Sequence, residues 1–572
     1  MPNFFEDNED IKFHLETRDL QEIIRLQEQD FKQSKVFPYA PENAADAMDN
    51  YRRVLHLLGE IAGEFIEPRA EEIDLEGSTL VNGKVIYSKG IAEALKRLAQ
   101  ADLMGFLLPR KYGGLNFPTT IYAMAIEIIS RADASLMNIF GLQSIAETIN
   151  DYASEELKEK YLPKFASGEV TGAMVLTEPD AGSDLQACRL KAMEDSENGC
   201  WRLSGVKRFI TNGCGDVLLV LGRSEEGSEG GLGLSLFLCE QGPGVRVRRL
   251  EDKLGIHGSP TCELHFDNKE AFLLGERRLG LIRCAMSMMN GARIAVAAQA
   301  VGIAEAACRA AMEFAQNREQ FGRKVRDFPA VSEMLTQMRI SIEAARALLY
   351  ETAIVADLYR GLQKRFNAAS GEEKKELRAR LNKVKRLGGM LAPMSKYYAS
   401  EMSIKVTSDA IQVHGGSGYM KDYPVERHFR DARITSIYEG TSQLQIMAAI
   451  GGLTSGTFGV ALDAFEFGQL KRPLKGLFGK LLRSRKATER AISYIKKRGD
   501  SQYTDLYART LVDMAIDTYI GHLLLGDAQI NKRKIWVAKK FVEDMLPRVE
   551  MHSQLVRSGA RTTLTHFSTI NI

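Results

Sequence analysis

The chain is sparing with cysteine, and none of its cysteines has a spacing that would give it a task. The seven Cys all fall between Cys188 and Cys308, with no C-x-x-C and no paired spacing. That argues against a zinc site and a disulfide framework and fits reduced thiols in a cytosol. Long apolar runs are also missing: none reaches the ~18–20 residues of a membrane span. The first residues, Met1 to Asp10, are acidic and lack the apolar stretch of a secretory signal, so the chain is expected to be cytoplasmic. No charge of one sign dominates. The net charge is +2, which gives no argument for nucleic acid. What remains is an ordinary globular composition, 45% hydrophobic and 26% charged. A chain of 572 residues is too long for one core, and roughly two to four domains are expected.

The texture changes three times along the chain. Residues 1–50 are polar and irregular and read as an arm. Residues 51–172 read as a helical domain: Tyr51 to Ile61 carries apolar residues at i, i+3, i+4 and i+7, Ile121 to Ile129 repeats this, and Glu155 to Leu162 is a short amphipathic helix. Residues 173–275 break into short β-type runs, namely Trp201–Leu203, Asp216–Leu221, Leu234–Leu238, Val245–Val247 and Cys262–Phe266. The Ser224–Gly231 stretch makes a surface turn between two of them, and a small sandwich or barrel is expected. Helical texture returns over 276–450, with long helices at Ala292–Phe314 and Pro329–Leu358 and an exposed, highly charged helical stretch at Asn367–Lys385. Residues 451–572 read as a further helical extension. The fold class is mainly α with a central β domain.

Three separated segments carry chemistry. The first is Ile437-Tyr438-Glu439-Gly440-Thr441-Ser442-Gln443, one carboxylate between Tyr and Gly. The second is Thr177-Glu178-Pro179-Asp180-Ala181-Gly182-Ser183-Asp184. The third is Arg208-Phe209-Ile210-Thr211-Asn212-Gly213. Each alone could be a turn or a helix start. Together, and in the α–β–α order over about 51–450, they resemble the acyl-CoA dehydrogenase family.

That resemblance implies FAD as cofactor and an acyl-CoA substrate oxidised to the trans-2-enoyl-CoA. A carboxylate removes the α-proton while hydride leaves the β-carbon for the flavin. It assigns the base to Glu439. Some relatives instead place the base on a helix just before an Arg; here that position is Ala292. The cofactor contacts it implies are Met174, Leu176, Thr177, Gly182, Ser183, Phe209, Ile210, Thr211, Thr441 and Gln443. A further set, Arg318, Gln320, Phe321, Gln412, Gly415 and Gly416, matches segments that hold the pyrophosphate and adenine of a neighbouring subunit, hence a homodimer. Arg forks suit phosphate, and glycines let the backbone come close. The Gly415–Gly418 cluster lacks the strand and the acidic partner of a dinucleotide fingerprint. Substrate contacts fall to Ser183, Asn290, Arg293, Tyr438 and Gly440, although a lone Arg on an apolar helix equally makes a structural ion pair. Pro329 stands where relatives carry Gln, which removes one flavin contact. His257 and His414 read as surface or interface histidines. No metal is expected.

The extension carries eleven Lys or Arg against a single acid, Glu489, between Lys471 and Arg498. Leu474, Leu477, Phe478, Leu481 and Leu482 recur among them at helical spacing. Such a stretch either lies on an anionic membrane from the cytoplasmic side or forms the solvated face of a packed helix. Nucleic acid is not expected, because no aromatic stacking platform is interleaved with the charge. The layout resembles the very-long-chain branch of the family, which suggests long acyl chains. The bulk of Leu136, Met137 and Phe140, aligned near the acyl tail, suggests short ones. An electron-transfer flavoprotein is the expected electron acceptor. Two alternatives stay open: an oxidase that uses O2, and a catalytically vestigial assembly protein.

Overall fold

The structure, a computed structural model, describes residues 2–572. Its N-terminal part contains α1 (Glu9–Thr17), α2 (Gln21–Gln27), α3 (Ala44–Glu60), α4 (Thr119–Ala132) and α5 (Ala134–Leu142). The arm read as irregular is in fact structured. Phe4, Phe5, Ile11, Leu15, Ile23 and Ile24 are buried in the main core. The arm runs so close to α3 that a Cβ on Gly59 would lie 2.6 Å from the backbone nitrogen of Phe5, so only glycine fits there. Apolar residues are too few along the arm to show a period. Contacts with distant helices order it instead.

The β region holds β1 (Gly172–Val175), β2 (Lys191–Asp195), β3 (Cys200–Thr211), β4 (Val217–Arg223), β5 (Leu234–Glu240), β6 (Val245–Leu250) and β7 (Thr261–Leu274). The hydrogen-bonded order β4–β2–β3–β7–β5 returns to β4, which closes a barrel, with β1 and β6 added at its rim. Leu203, Val220, Phe237, Leu264 and Phe266 fill the interior. Leu219, Leu236 and Leu238 alternate to the other face and pack on the N-terminal helices.

Beyond the barrel come α6 (Met286–Asn317), α7 (Pro329–Ala368), α8 (Gly371–His414), α9 (Val425–Arg433) and α10 (Ser442–Thr454). The charged stretch read as one helix over Asn367–Lys385 is broken. α7 ends at Ala368, and α8 starts at Gly371 with φ +59°. Pro329 sits in the first turn of α7, where its missing N–H costs nothing.

The extension folds as α11 (Arg472–Arg498), α12 (Ser501–Ile530) and α13 (Lys532–Arg557). It shares one core with the bundle: Leu348, Met390, Met394 and Ile446 pack with Leu477, Leu481, Leu511, Leu524 and Val542. Leu474, Leu477 and Leu481 are therefore spent on protein packing. Phe478 is half-buried, and Leu482 stands exposed among the basic residues of α11. One helix, Gly280–Asn317, is long and apolar enough to cross a bilayer, but 83% of its apolar window is buried within the fold.

Candidate functional site

Glu439 lies in the tight turn between the short helix Ile434–Ser436 and α10. Its φ is +53° and that of Gly440 is +91°. The left-handed region costs a non-glycine roughly 1–2 kcal/mol, and such strain persists only where the surroundings fix it. Here they do. Gln445 Nε2 donates to the carbonyls of Glu439 (3.1 Å) and Gly440 (3.0 Å). Lys396 Nζ, from α8, donates to the Gly440 carbonyl at 2.7 Å. Thr441 caps α10 by accepting from Leu444 N, and Ser442 Oγ donates to Glu401 at 2.5 Å.

Tyr438 fixes the other side of the turn. Its hydroxyl donates to Gln299 on α6 and to Asn138 on α5. Gln299 in turn donates to the Ala134 carbonyl (3.1 Å) and to Asn138 Oδ1 (3.0 Å). These contacts seat α5 against the turn.

The Glu439 carboxyl is pushed up to about 7 by burial, against the pull of Lys396 and Arg293. Burial lowers the Lys396 amine to about 7, and Glu439 opposes that shift. Arg293, from α6, is buried, and its Nη1 donates to Asn290 Oδ1 at 2.9 Å. Its Nε has no partner. One carboxylate thus faces two cations in a partly desolvated pocket, a balance suited to negative charge appearing on a ligand.

The flavin-facing segments are positioned by the barrel. β3 carries a bulge between Lys207 and Ile210, and Phe209 adopts φ +61°. A bulge re-aims a side chain, and Phe209 stands 52% exposed. Thr177 and Thr211 are half-buried beside it, and the Thr177 carbonyl accepts from Arg208 N at 3.0 Å. The loop after β1 is anchored underneath by Lys207. This buried amine donates to the Leu176 carbonyl (2.7 Å) and pairs with Glu178 (2.9 Å), whose carboxylate also accepts from Arg189 N and Leu190 N. Leu176 and Ile210 turn their side chains into the core, so only their backbone can face a cofactor. Met174 is half-buried, and Gly182 and Ser183 are exposed. A Cβ on Gly182 would meet only Thr177 Cγ2, at 3.9 Å. An exposed ring, two hydroxyls and open space beside them fit a flat aromatic cofactor such as the isoalloxazine of FAD. Met174 and Leu176 share a cluster with Met288 and Met289 at the start of α6, four residues before Arg293, which ties this surface to the base.

The remaining expected residues form a second surface. Arg318, Gln320, Phe321, Gln412, Gly415 and Gly416 are all exposed, Phe321 at 93%. Phe314 stacks on His414 (4.3 Å between ring centroids) and joins the two segments. His414 is buried against the Ala410 carbonyl, and His257 pairs with Asp74 at 2.8 Å, so both are structural here. Arg293 and Arg318 stand at opposite ends of α6, separated by roughly 37 Å at about 1.5 Å per residue. Gln443 is exposed at the start of α10.

Lys396, Gln445, Gln299, Asn138 and Lys207 escaped the sequence reading. Lys396 left a trace, because it interrupts the apolar series Met390, Leu391, Met394 and Tyr397, all buried.

Four family models match the chain in tandem. They are "Acyl-CoA dehydrogenase, N-terminal domain" over residues 48–169, "middle domain" over 173–269, "C-terminal domain" over 282–452, and "Acyl-CoA dehydrogenase C terminal" over 454–545. An acyl-CoA dehydrogenase of Bacillus subtilis (strain 168) is 40% identical over 372 residues, 64% of this chain and 90% of that protein. The 3-methylmercaptopropionyl-CoA dehydrogenase of Ruegeria pomeroyi is 31% identical over 568 residues, 90% of this chain and 93% of that protein, so this match runs through the extension. The structure of an acyl-CoA dehydrogenase from Bacillus anthracis, complexed with FAD, is similar with a TM-score of 0.75 at 23% identity, over 91% of this chain and 90% of that one. At that identity the likeness is one of fold.

Proposed function

Because the chain belongs to the acyl-CoA dehydrogenase family, FAD-dependent oxidoreductases acting on acyl-CoA, we propose that it converts a saturated acyl-CoA to the trans-2-enoyl-CoA with Glu439 as base. The observation that carries this is the strained turn holding a half-buried carboxyl at about 7 between two cations. An α C–H is a weak acid. Its removal needs a base matched to neutral pH and a site that favours the enolate as charge develops. When the proton has moved from Cα to Glu439, the carboxyl is neutral, and the charge of Arg293, with that of Lys396 in its protonated form, is left to face the enolate. FAD, when bound, supplies the acceptor for the hydride from the β-carbon. Thr177, Phe209 and Thr211 orient it against the loop that Lys207 anchors. An electron-transfer flavoprotein takes the electrons onward.

For the acyl group we favour a short chain. Met137 and Phe140 flank Asn138 on α5, which Tyr438 holds against the turn. Behind them Phe106, Tyr122 and Phe140 form an aromatic cluster with centroids 5.9–6.0 Å apart. The relative matched along the extension is itself named for a short thioether acyl-CoA, which speaks against reading the extension as a mark of long chains. We also read the active unit as a homodimer. One extended cofactor cannot bridge the two surfaces at the ends of α6 within one chain, but a second copy would bring its Arg318 surface to the base of the first.

Anaerobic titration of the FAD-loaded protein with a series of acyl-CoAs tests the reaction. Bleaching of the flavin by short acyl-CoAs is expected. FAD binding without bleaching by any thioester would overturn the proposal. Stoichiometric peroxide in air would make it an oxidase.

A further inference from the structure

We infer that Lys396 is a positioning residue for proton abstraction, its ammonium holding the left-handed Glu439–Gly440 turn through the Gly440 carbonyl while its charge keeps Glu439 ionised. The inference rests on the proposed dehydrogenation.

Three observations carry it. Lys396 is fully buried, in the middle of α8. A long amine is not placed in a core unless something there uses its donors and charge. Its Nζ reaches the Gly440 carbonyl at 2.7 Å, on the residue next to the base. The turn it holds is left-handed at two successive residues and strained at Glu439, since Gly440 adopts its φ without steric cost, and it would relax if released. Gln445, from α10, donates to the Gly440 carbonyl and to the Glu439 carbonyl, so the turn is clamped between α8 and α10. Releasing one jaw moves the carboxylate, and misplacement by about 1 Å can cost about a hundredfold in rate.

The charged surroundings are few. Glu439 faces Lys396 from α8 and Arg293 from α6, with the Tyr438 phenol beside it in its own turn. Lys396 faces Glu439, Arg293 and, along α8, Glu401. Glu401 is engaged by Ser442, and Arg293 is steadied by Asn290. Burial drives both Glu439 and Lys396 toward neutrality, each to about 7, so the two titrate as a pair. Without the lysine charge, the carboxyl holds its proton to higher pH.

Position and charge separate in two variants. K396M keeps the length and removes donor and charge. K396Q keeps a donor for Gly440 and removes the charge. The rate of flavin bleaching by a saturating acyl-CoA is followed against pH, with FAD content and melting temperature as controls. For K396M the acid limb should move up by about one unit or more, and the plateau rate should fall about ten- to a hundredfold. For K396Q the limb should stay shifted while the plateau recovers. A K396M limb at the wild-type pH overturns the role of charge, and an unchanged plateau overturns the role of position. Failure of both variants to fold and load FAD would reduce Lys396 to a core residue and overturn the inference as well. If wild-type flavin is not bleached, the dehydrogenase reading fails. If wild-type is bleached and K396M matches it, only this inference fails.

Discussion

Glu439→Gln is nearly isosteric and leaves the turn, the cap and the Gln445 clamp in place. It should keep FAD and lose about 10²–10⁴-fold in turnover, the usual range for a positioned base; stopped-flow bleaching checks it. In the wild type, activity should rise with pH through an acid limb near 7, where burial has pushed the carboxyl. The same shift has a cost. A carboxyl whose folded value lies above its unfolded one favours the fold below the unfolded value, and that contribution is lost as pH rises toward 7. The Gln variant should therefore melt higher than wild type above neutrality and equally in acid. Glu439 was legible in the sequence because its neighbours form a recognisable string. Lys396 was not, because one lysine in a long helix reads as a solvated charge until α10 is seen to bring Gly440 over it.

Long helices declare themselves through period. α6 and α7 were readable for that reason, whereas β4 and β5 were readable as short apolar runs bounded by turn residues. The N-terminal arm was not, since α1 and α2 span only nine and seven residues. What holds the arm is a buried ion cluster joining four regions. Asp10 pairs with Arg346 of α7 (2.6 Å) and with Lys534 of α13. Arg346 reaches Glu127 of α4 (2.6 Å) and Glu305 of α6 (3.0 Å), and Lys534 reaches Glu343 (2.7 Å). Asp10→Ala leaves two buried cations short of a partner and should cost about 3–5 kcal/mol, read by chemical denaturation at pH 7. Burial opposes ionisation of Asp10, but the Lys534 and Arg346 charges override it and hold the carboxyl well below its ordinary value. Its stabilisation is therefore complete above the unfolded value, about 3.9, and is lost as pH falls toward the folded one. Asp10→Asn should flatten that acid limb of the stability curve.

At the scale of the whole molecule, the helical extension shares a core with α7, α8 and α10, while the surface around Arg318 and Phe321 stays open at the far end of α6 from the base. In the proposed homodimer the two surfaces serve one cofactor across two copies of the chain, and subunit hybrids test this. In a hybrid of one E439Q subunit and one R318A subunit, pairing across copies puts both lesions in one site and leaves the other intact. Such a hybrid should regain about half the wild-type turnover, although each parent homodimer is nearly inactive. If Glu439 and Arg318 of the same chain served the same site, each site would carry one lesion and the hybrid would stay as inactive as its parents. Tandem affinity tags isolate the hybrid, and its turnover with a short acyl-CoA distinguishes the two arrangements.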